Sequence, residues 1–389
     1  MTEQKRYRVA VIYGGQSFEH EVSMLSARGV MQNMDKTLFE VLPVRIAQDG
    51  DWIWGDESVC QLEAPYQNLP KLSSGEHTFA ENVPQLIASH ATRKDLVQSV
   101  ASDVDIVFPL IHGVKGEDGT LQGLLEMANL PYVGSGVLSS AICMDKHLTK
   151  QLVAAAGVPV VPYQVVKKYE WLHHTDQIMA RAQSLGELLF VKPANSGSSV
   201  GINKVTNATQ LKAAIDEAFL YDHKILIEKG IAGREIELSV LEHETYGEDP
   251  RVSIAGEIVP RHGFYSYEAK YIDPDGAALL IPAELHPEQL TQLQQFSKQA
   301  FLALECAGMA RADFFIDKDT SEYYFNEMNT LPGFTPISMY PKLWEASGLP
   351  YSALITQLLH LALTRHTRSE QLHHEVAKGE TLIKALGKK

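Results

Sequence analysis

Cysteine is scarce in this chain: three residues among 389, Cys60, Cys143 and Cys306, far apart and never in CxxC spacing. An odd, scattered set excludes a disulfide framework and a four-cysteine zinc site, and it fits a reducing compartment. Positive charge is in deficit, with 34 Lys and Arg against 48 Asp and Glu for a formal charge of −14. That balance argues against general binding to nucleic acid or to an anionic membrane, so basic residues that matter must be concentrated locally. No run approaches the roughly 20 apolar residues of a membrane span. The N-terminal Met1-Thr2-Glu3-Gln4-Lys5-Arg6 passes straight into a strand pattern without an apolar signal segment. Internal repeats and low-complexity tracts are missing as well. What is present is ordinary for a globular chain, 45% hydrophobic and 21% charged, with length enough for two or three domains. The expectation is a soluble cytoplasmic protein with neither nucleic-acid nor membrane partners.

Tyr7–Tyr13 is a continuous apolar run ending at Gly14-Gly15, and helical spacing follows over Val22–Met34. Phe39–Ile46 and Val104–Leu110 read as further buried strands. Open α/β units of this kind place their ligands at the carboxyl ends of the strands. The stretch from Asp49 to Val100, rich in Pro, Ser and Gln, reads as insertion and surface helix. The character changes at Met144-Asp145-Lys146. Leu148–Ala156 is helical and closes at Gly157; strands at Pro162–Val166, Leu188–Lys192, Ser199–Val205 and Lys224–Glu228 then surround a helix at Ala208–Leu220. A third unit has strands at Ile236–Leu241 and Arg251–Val259, a helix at Pro287–Leu304, and a hairpin of Met309–Ile316 and Glu322–Met328. From about Thr364 the chain is polar and reads as a helical tail. The expected units are 1–143, 144–235 and 236–366, with a tail at 367–389.

The hairpin carries the densest chemistry. Arg311 and Asp313 lie in its first strand, Glu327 and Asn329 in its second, with Asp317-Lys318-Asp319 between them. Same-face residues on adjacent antiparallel strands sit about 5 Å apart. Asp313, Glu327 and Asn329 would then form a set of hard oxygen donors suited to Mg²⁺ against phosphate oxygens. Ordinary acids on a solvated hairpin would give the same letters. Upstream, Lys192 ends an apolar strand, and Asn195-Ser196-Gly197-Ser198-Ser199-Val200-Gly201 follows as a turn of small residues. Such a turn lets backbone N–H groups approach phosphate. Lysine precedes the glycines in this segment, unlike the Walker pattern, so the loop either folds over phosphates from a sheet or is a flexible turn beside an exposed lysine. Ile225–Ile231, containing Glu228 and Lys229, reads as an exposed edge that serves an adenine, with Glu228 on a ribose hydroxyl, or as a surface salt bridge. Arg261–Ile281 mixes Phe264, Tyr265, Tyr267 and Tyr271 with Glu268, Lys270 and Asp273, which suits a lid or an adhesive surface loop. Gly14–Glu21 and His112–Gly119 each follow a strand and open into one crevice, where Glu19 is placed to grip a substrate ammonium; His112 reads as structural or catalytic. The Gly14-Gly15 pair lacks the full GxGxxG and its acid, so a dinucleotide fingerprint is weak.

In order, the chain carries Gly14-Gly15 with Glu19 and Glu21-Val22-Ser23, His112-Gly113 with Gly116-Glu117-Asp118-Gly119-Thr120 and Gln122-Gly123, Gly134-Ser135-Gly136, and Met144-Asp145-Lys146. Lys192-Pro193 with Gly197-Ser198-Ser199-Val200-Gly201, Tyr267-Glu268-Ala269-Lys270-Tyr271, and Asn326-Glu327-Met328-Asn329-Thr330 with Pro332-Gly333 follow. This series, from Val9 to about Leu349, resembles the ATP-grasp superfamily and, within it, the D-alanine–D-alanine ligases.

The resemblance implies a fold of α/β and α+β type, a three-domain ATP-grasp architecture with an N-terminal open α/β domain. ATP and Mg²⁺ would lie between the second and third domains, and D-alanine between the first and third. By the same resemblance Lys146 and Lys192 would hold phosphates beneath Ser198 and Ser199, with Phe264 and Lys270 also on the nucleotide. Glu228, Lys229, Ile231 and Glu235 would line the adenosine site. Asp313, Glu327 and Asn329 would bind two Mg²⁺ (or Mn²⁺) ions, and K⁺ is a further candidate ion. Arg311 and the backbone N–H of Gly333 would stabilise an oxyanion; Glu19 would hold the first D-alanine's ammonium, Ser338 with its neighbour Met339 the second one's carboxylate, and His112 would face substrate. Bonds among Glu19, Ser198 and Tyr271 would tie the lid, 261–281, to the first domain. The implied activity is ATP-dependent ligation of two D-alanines through D-alanyl phosphate, for peptidoglycan precursors, by a cytoplasmic homodimer. Tyr271 favours the dipeptide over a D-alanyl-D-lactate ester, and another carboxylate–amine ligase is the alternative enzyme. A catalytically dead nucleotide-binding regulator is opposed by the intact set of Arg311, Asp313, Glu327 and Asn329, and an NAD-dependent oxidoreductase by the missing fingerprint. Leu331 departs from the family pattern, where many members carry Ser, with no expected loss of chemistry.

Overall fold

The computed structural model describes residues 6–17, 19–55, 58, 104–260 and 277–386. The expected lid residues Phe264, Lys270 and Tyr271, and most of the expected insertion, lie outside them. The first sheet has the order β3-β2-β1-β4. In it β1 (Tyr7–Gly14) pairs in parallel with β2 (Phe39–Ile46) and β4 (Ile106–Pro109), and β3 (Trp52–Trp54) is antiparallel on the edge. Strands covered on both faces are apolar throughout, as Val9 to Tyr13 are, all fully buried. The chain leaves β1 through Gly14 at φ +89°, where a Cβ would stand 2.2 Å from the Ile46 carbonyl oxygen. Only glycine fits that turn. Helix α1 (His20–Asn33) then runs back along the sheet, and α2 (Thr120–Met127) and α3 (Val137–Met144) complete the unit.

Helix α4 (Lys146–Ala155) opens the next unit, capped by Asp145, whose carboxylate accepts from the N–H groups of His147 and Leu148. A fully antiparallel sheet of order β5-β8-β6-β7 follows, built from β5 (Tyr163–Lys167), β6 (Leu189–Pro193), β7 (Asn203–Val205) and β8 (Lys224–Lys229). Helices α5 (Lys168–Gln183) and α6 (Ala208–Ala218) cover one face. Side chains alternate along a strand. Val191, Ile225 and Ile227 pack beneath those helices with Trp171, Leu211 and Ile215, each large aliphatic contributing about 2 kcal/mol. Lys192 and Glu228 consequently face the other way. The expected strand at Ser199–Val205 forms only from Asn203, because Ser198 and Ser199 take positive φ and turn the chain. Helix α5 was not expected: its pattern lacks a sharp apolar stripe.

The third sheet, β11-β10-β9-β12-β13, is antiparallel. It comprises β9 (Gly233–Leu241), β10 (Arg251–Pro260), β11 (Ala277–Leu280), β12 (Met309–Asp317) and β13 (Tyr323–Asn329), backed by α7 (Pro287–Ala303). Helix α8 (Met339–Ala346) and the long α9 (Tyr351–Leu386) close the chain. Leu354, Ile355, Leu358 and Leu359 of α9 share one apolar core with Val9 and Val11 of β1, Phe108 of β4, and Phe334. The first and third units thus share a common core, and Val153 and Val158 pack into the core of the third sheet. Among the described residues no helix is long and apolar enough to cross a membrane.

Candidate active site

Three acids stand in a row across the third sheet. In register, Asp313 of β12 faces Glu237 of β9 on one side and Glu327 of β13 on the other. Arg311, two residues along the same face, compensates them. Its Nε and Nη2 donate to Asp313 Oδ1 and Oδ2, each at 2.7 Å, and Nε lies 3.1 Å from Glu237 Oε2. Burial disfavours the guanidinium charge, but Asp313 and Glu237 more than reverse this, so its pKa stays well above the ordinary value. The fork on Asp313 uses Nε and Nη2, so Nη1 is the nitrogen left to donate to a ligand. Asn329, opposite Arg311, accepts the Leu331 N–H on Oδ1 at 3.1 Å. Two carboxylates and an amide oxygen on neighbouring hairpin positions are hard oxygen donors of the kind a divalent cation such as Mg²⁺ takes. The expected register of Asp313 against Glu327 is observed.

Past that pair the ladder slips. Asp313 faces Glu327 while Phe314 faces Phe325, so Asn326 is the extra residue of a β-bulge. The bulge turns both polar ends of Asn326 toward lysines. Its carbonyl oxygen accepts from Lys150 Nζ at 3.0 Å, and its Oδ1 lies 3.3 Å from Lys192 Nζ. Lys150 and Lys146 are one turn apart on α4, both buried. The Lys146 ammonium donates to the Ser196 carbonyl and lies 3.9 Å from Glu327 Oε2.

Between these lysines sits Glu228, buried, with Lys192 Nζ 2.7 Å from Oε2 and Lys150 Nζ 3.2 Å from Oε1. Burial alone would favour the protonated acid, but the two ammonium groups hold its pKa down to about 2. Burial lowers Lys150, with Glu228 opposing; Lys192 also suffers burial but is raised overall by Glu228. This arrangement corrects the expectation of an exposed edge. Strand β8 is interior, paired with both β5 and β6, so it offers no free edge to an adenine. The Glu228 carboxylate, expected on a ribose hydroxyl, lies between Lys150 and Lys192. Lys229, Ile231 and Glu235 lie just beyond, where the chain leaves β8 and enters β9.

Over the lysines, Ser198 and Ser199 adopt φ +49° and +60° and Gly201 +71°. With the Val200 N–H donating to the Gly197 carbonyl, these two serines are the centre of a tight turn whose small residues let an anion approach backbone N–H groups. The loop is tied across to the first unit by a short hydrogen bond from Ser198 Oγ to Glu19 Oε1. Glu19 opens α1, and its other carboxylate oxygen packs against Gly113 and Gly197, where a Cβ would come within 2.9 and 3.3 Å. The bond between Glu19 and Ser198 implied by the family resemblance is therefore present.

His112, after β4, is sealed. Its Nδ1 donates to the Leu331 carbonyl at 3.1 Å and lies 3.6 Å from Glu117, and Ser26 Oγ is 3.0 Å from Nε2. Ser26 also accepts the Phe334 N–H at 3.2 Å. Burial depresses the imidazole, but Glu117 and Glu19 raise it on balance. His112 thus pins the segment that carries Gly333 to the first unit. A Cβ on Gly333 would lie 3.1 Å from Ser338 Oγ. Ser338 precedes α8, and its hydroxyl bonds Thr335 at N and Oγ1, 3.1 and 2.7 Å away. The Met339 side chain is buried beside Gly256 in an apolar cluster, so only its backbone can reach a substrate.

Sequence reasoning missed Lys150, Glu237 and the bulged Asn326. The first had a signal: Lys146, Thr149, Lys150 and Val153 fall on one helical stripe, and all four are buried.

Residues 8–135 match the family described as D-ala D-ala ligase N-terminus, and residues 152–360 the family described as D-ala D-ala ligase C-terminus. A D-alanine–D-alanine ligase A of Bradyrhizobium diazoefficiens is 47% identical over 378 residues, covering 96% of this chain and 99% of that one. A D-alanine–D-alanine ligase of Caldicellulosiruptor bescii is 45% identical over 375 residues, covering 95% and 98%. Among solved structures, the D-alanine–D-alanine ligase of Coxiella burnetii superimposes with a TM-score of 0.77 at 33% identity, covering 97% of this chain and 100% of that one. The VanG D-Ala:D-Ser ligase of Enterococcus faecalis gives 0.75 at 33% identity, covering 92% and 100%.

Proposed function

The chain belongs to the D-alanine–D-alanine ligase family, has the ATP-grasp fold and catalyses the ATP-dependent joining of two D-alanines for peptidoglycan precursors; we propose how its residues divide that work. A carboxylate is a poor acyl donor because its leaving oxygen is strongly basic. The first D-alanine's carboxylate therefore attacks the γ-phosphorus of ATP, ADP departs, and a D-alanyl phosphate forms. Lys146 and Lys192 offset charge on the transferring phosphoryl group, and backbone N–H groups of the Ser198–Ser199 turn hold the phosphates. Asp313, Glu327 and Asn329 would hold the family's divalent cations, Mg²⁺ or Mn²⁺, which when bound supply positive charge to the phosphate oxygens. Lys229, Ile231 and Glu235 line the adenosine side.

The second D-alanine's amine then attacks the acyl carbon. Charge develops on the carbonyl oxygen, where Arg311 donates through Nη1 and Gly333 through its N–H. The tetrahedral species expels inorganic phosphate, which carries away the proton given up by the new amide nitrogen. Glu19 binds the first substrate's ammonium; Ser338 and the Met339 N–H bind the second one's carboxylate, near the positive end of α8. His112 positions the Gly333 segment. Phe264, Lys270 and Tyr271 complete the site as nucleotide contacts and lid.

The observation that carries this assignment is the meeting of the bulged β12–β13 hairpin with Lys146, Lys150 and Lys192. Purified protein given ATP should release ADP and form D-alanyl-D-alanine only when both a divalent cation and D-alanine are supplied. ADP release indifferent to D-alanine contradicts it. Because one structural relative is a D-Ala:D-Ser ligase, D-alanine, D-serine and D-lactate should be offered in competition. Predominant D-alanyl-D-alanine is expected, and predominant D-alanyl-D-lactate ester or D-alanyl-D-serine overturns the assignment of acceptor. The same reading has the enzyme in the cytoplasm, where ATP is available, with K⁺ activation tested by omission from the assay. It also has a homodimer through the first unit, supported by exposed Leu124 and Met127 of α2 and Leu138 of α3.

A further inference from the structure

Two ammonium groups share the one carboxylate of Glu228, and they are held differently. Lys192 reaches it from the end of β6, where the glycine-rich loop begins, and its side chain is 10% exposed. Its second partner, Asn326 Oδ1 at 3.3 Å, is a side-chain atom that can rotate away. Lys150 is 1% exposed, and its second partner is the backbone carbonyl of the bulged Asn326 at 3.0 Å, which cannot. Lys150 is the more deeply buried and is fixed by a backbone carbonyl, whereas Lys192, although it makes the shorter contact to Glu228 (2.7 against 3.2 Å), has only side-chain partners that can rotate. Glu228 Oε1, facing Lys150 at 3.2 Å, makes no aligned hydrogen bond, so this oxygen has acceptor capacity in reserve.

A buried carboxylate stripped of its only partner is strongly destabilised. If Lys192 were the sole counterion of Glu228, any phosphate would have to outbid that carboxylate for its ammonium. Resting on the assignment of Lys192 to the nucleotide phosphates, we propose that Lys150 is a positioning residue for phosphoryl transfer: it stays as the standing counterion of Glu228 and so frees Lys192 to turn to the nucleotide. Lys150 itself touches no phosphate.

The test is calorimetric binding of ADP and of adenosine to the full-length protein at fixed Mg²⁺, read as the ratio of the two affinities, which isolates the phosphate contribution. Lys192→Met should lower that ratio by about tenfold or more, the scale of one lost charge-assisted contact. Lys150→Met should lower it on the same scale, because Lys192 is then captured by Glu228. Adding Glu228→Gln to Lys150→Met should bring the ratio back, whereas a merely structural Lys150 would show no recovery from a second buried change. If Lys192→Met leaves the ratio unchanged, the phosphate role of Lys192 falls. If Lys192→Met lowers the ratio and Lys150→Met does not, or if the double variant shows no recovery, the inference about Lys150 alone is overturned. Should Lys150→Met not fold, the double variant is compared with Glu228→Gln. With the carboxylate gone the two should agree within about twofold, and a lower ratio in the double variant overturns the inference.

Discussion

The β12–β13 hairpin and the 194–202 loop present polar groups to the same site by different physical means. On the hairpin, strand register does the placing: Asp313 falls between Glu237 and Glu327, and Arg311 neutralises the cluster with a bidentate fork. Position there is set by sheet hydrogen bonds and buried charge pairs, and changing one charge disturbs its neighbours. On the loop, backbone dihedrals do it: Ser198 and Ser199 sit at positive φ, a conformation costing about 1 kcal/mol or more for residues other than glycine. Position there is held by the tie from Ser198 to Glu19. The contrast suits the proposed division of roles, because charge that stabilises a transition state must be preorganised, whereas a loop proposed to cover nucleotide must open to admit it.

The contrast between hairpin and loop predicts a graded series. Arg311→Ala should retain ADP binding yet lower turnover about 10²–10³-fold, the loss typical of one oxyanion donor; unaltered phosphate release would remove Arg311 from that role. Its melting temperature should also fall, since Asp313 and Glu237 lose a counterion. Glu327→Gln should come next, raising the divalent-cation concentration for half-maximal activity by about tenfold or more, measured by cation titration at saturating ATP. On the loop, Ser199→Gly should leave the melting temperature unchanged or higher, because glycine accepts φ +60° without strain. It should raise the KM for ATP only a few-fold. A loss of stability at Ser199 as large as at Arg311 would erase the distinction between the two regions.

The smallest effect concerns pH. Glu228 has its pKa depressed to about 2 in the folded protein, against about 4.3 unfolded. Its contribution to stability is therefore fully present above about pH 4.3 and is lost as pH falls toward 2. Glu228→Gln should remove that share of acid destabilisation, visible as a shallower fall in denaturation free energy between about pH 4.3 and 3. An unchanged slope would mean that the carboxylate is not held by its lysines.

The hairpin was legible in the sequence because strand alternation has a period of two, so the facing of Asp313 and Glu327 followed from counting. The Glu19–Ser198 bond came from family resemblance; nothing in the local pattern relates residues 179 positions apart. What escaped reading depends on tertiary geometry. The bulge at Asn326 leaves no signature in the letters Phe325-Asn326-Glu327. Glu237 looks like any alternating polar residue of a half-exposed strand, yet it is buried because β9 is the middle strand of its sheet. The interior placement of β8, which removed the expected edge, follows from strand order, and strand order is set by packing rather than by any one segment.

The most direct measurement of the central claim follows an oxygen atom. With D-alanine labelled with ¹⁸O in its carboxylate, ATP and Mg²⁺, the acyl phosphate route predicts one ¹⁸O transferred to each inorganic phosphate released, detected as an isotope shift by ³¹P NMR, with D-alanyl-D-alanine formed in equal amount. Phosphate that carries no label while the dipeptide accumulates would contradict that route and, with it, the roles of Lys192, Arg311 and the hairpin acids.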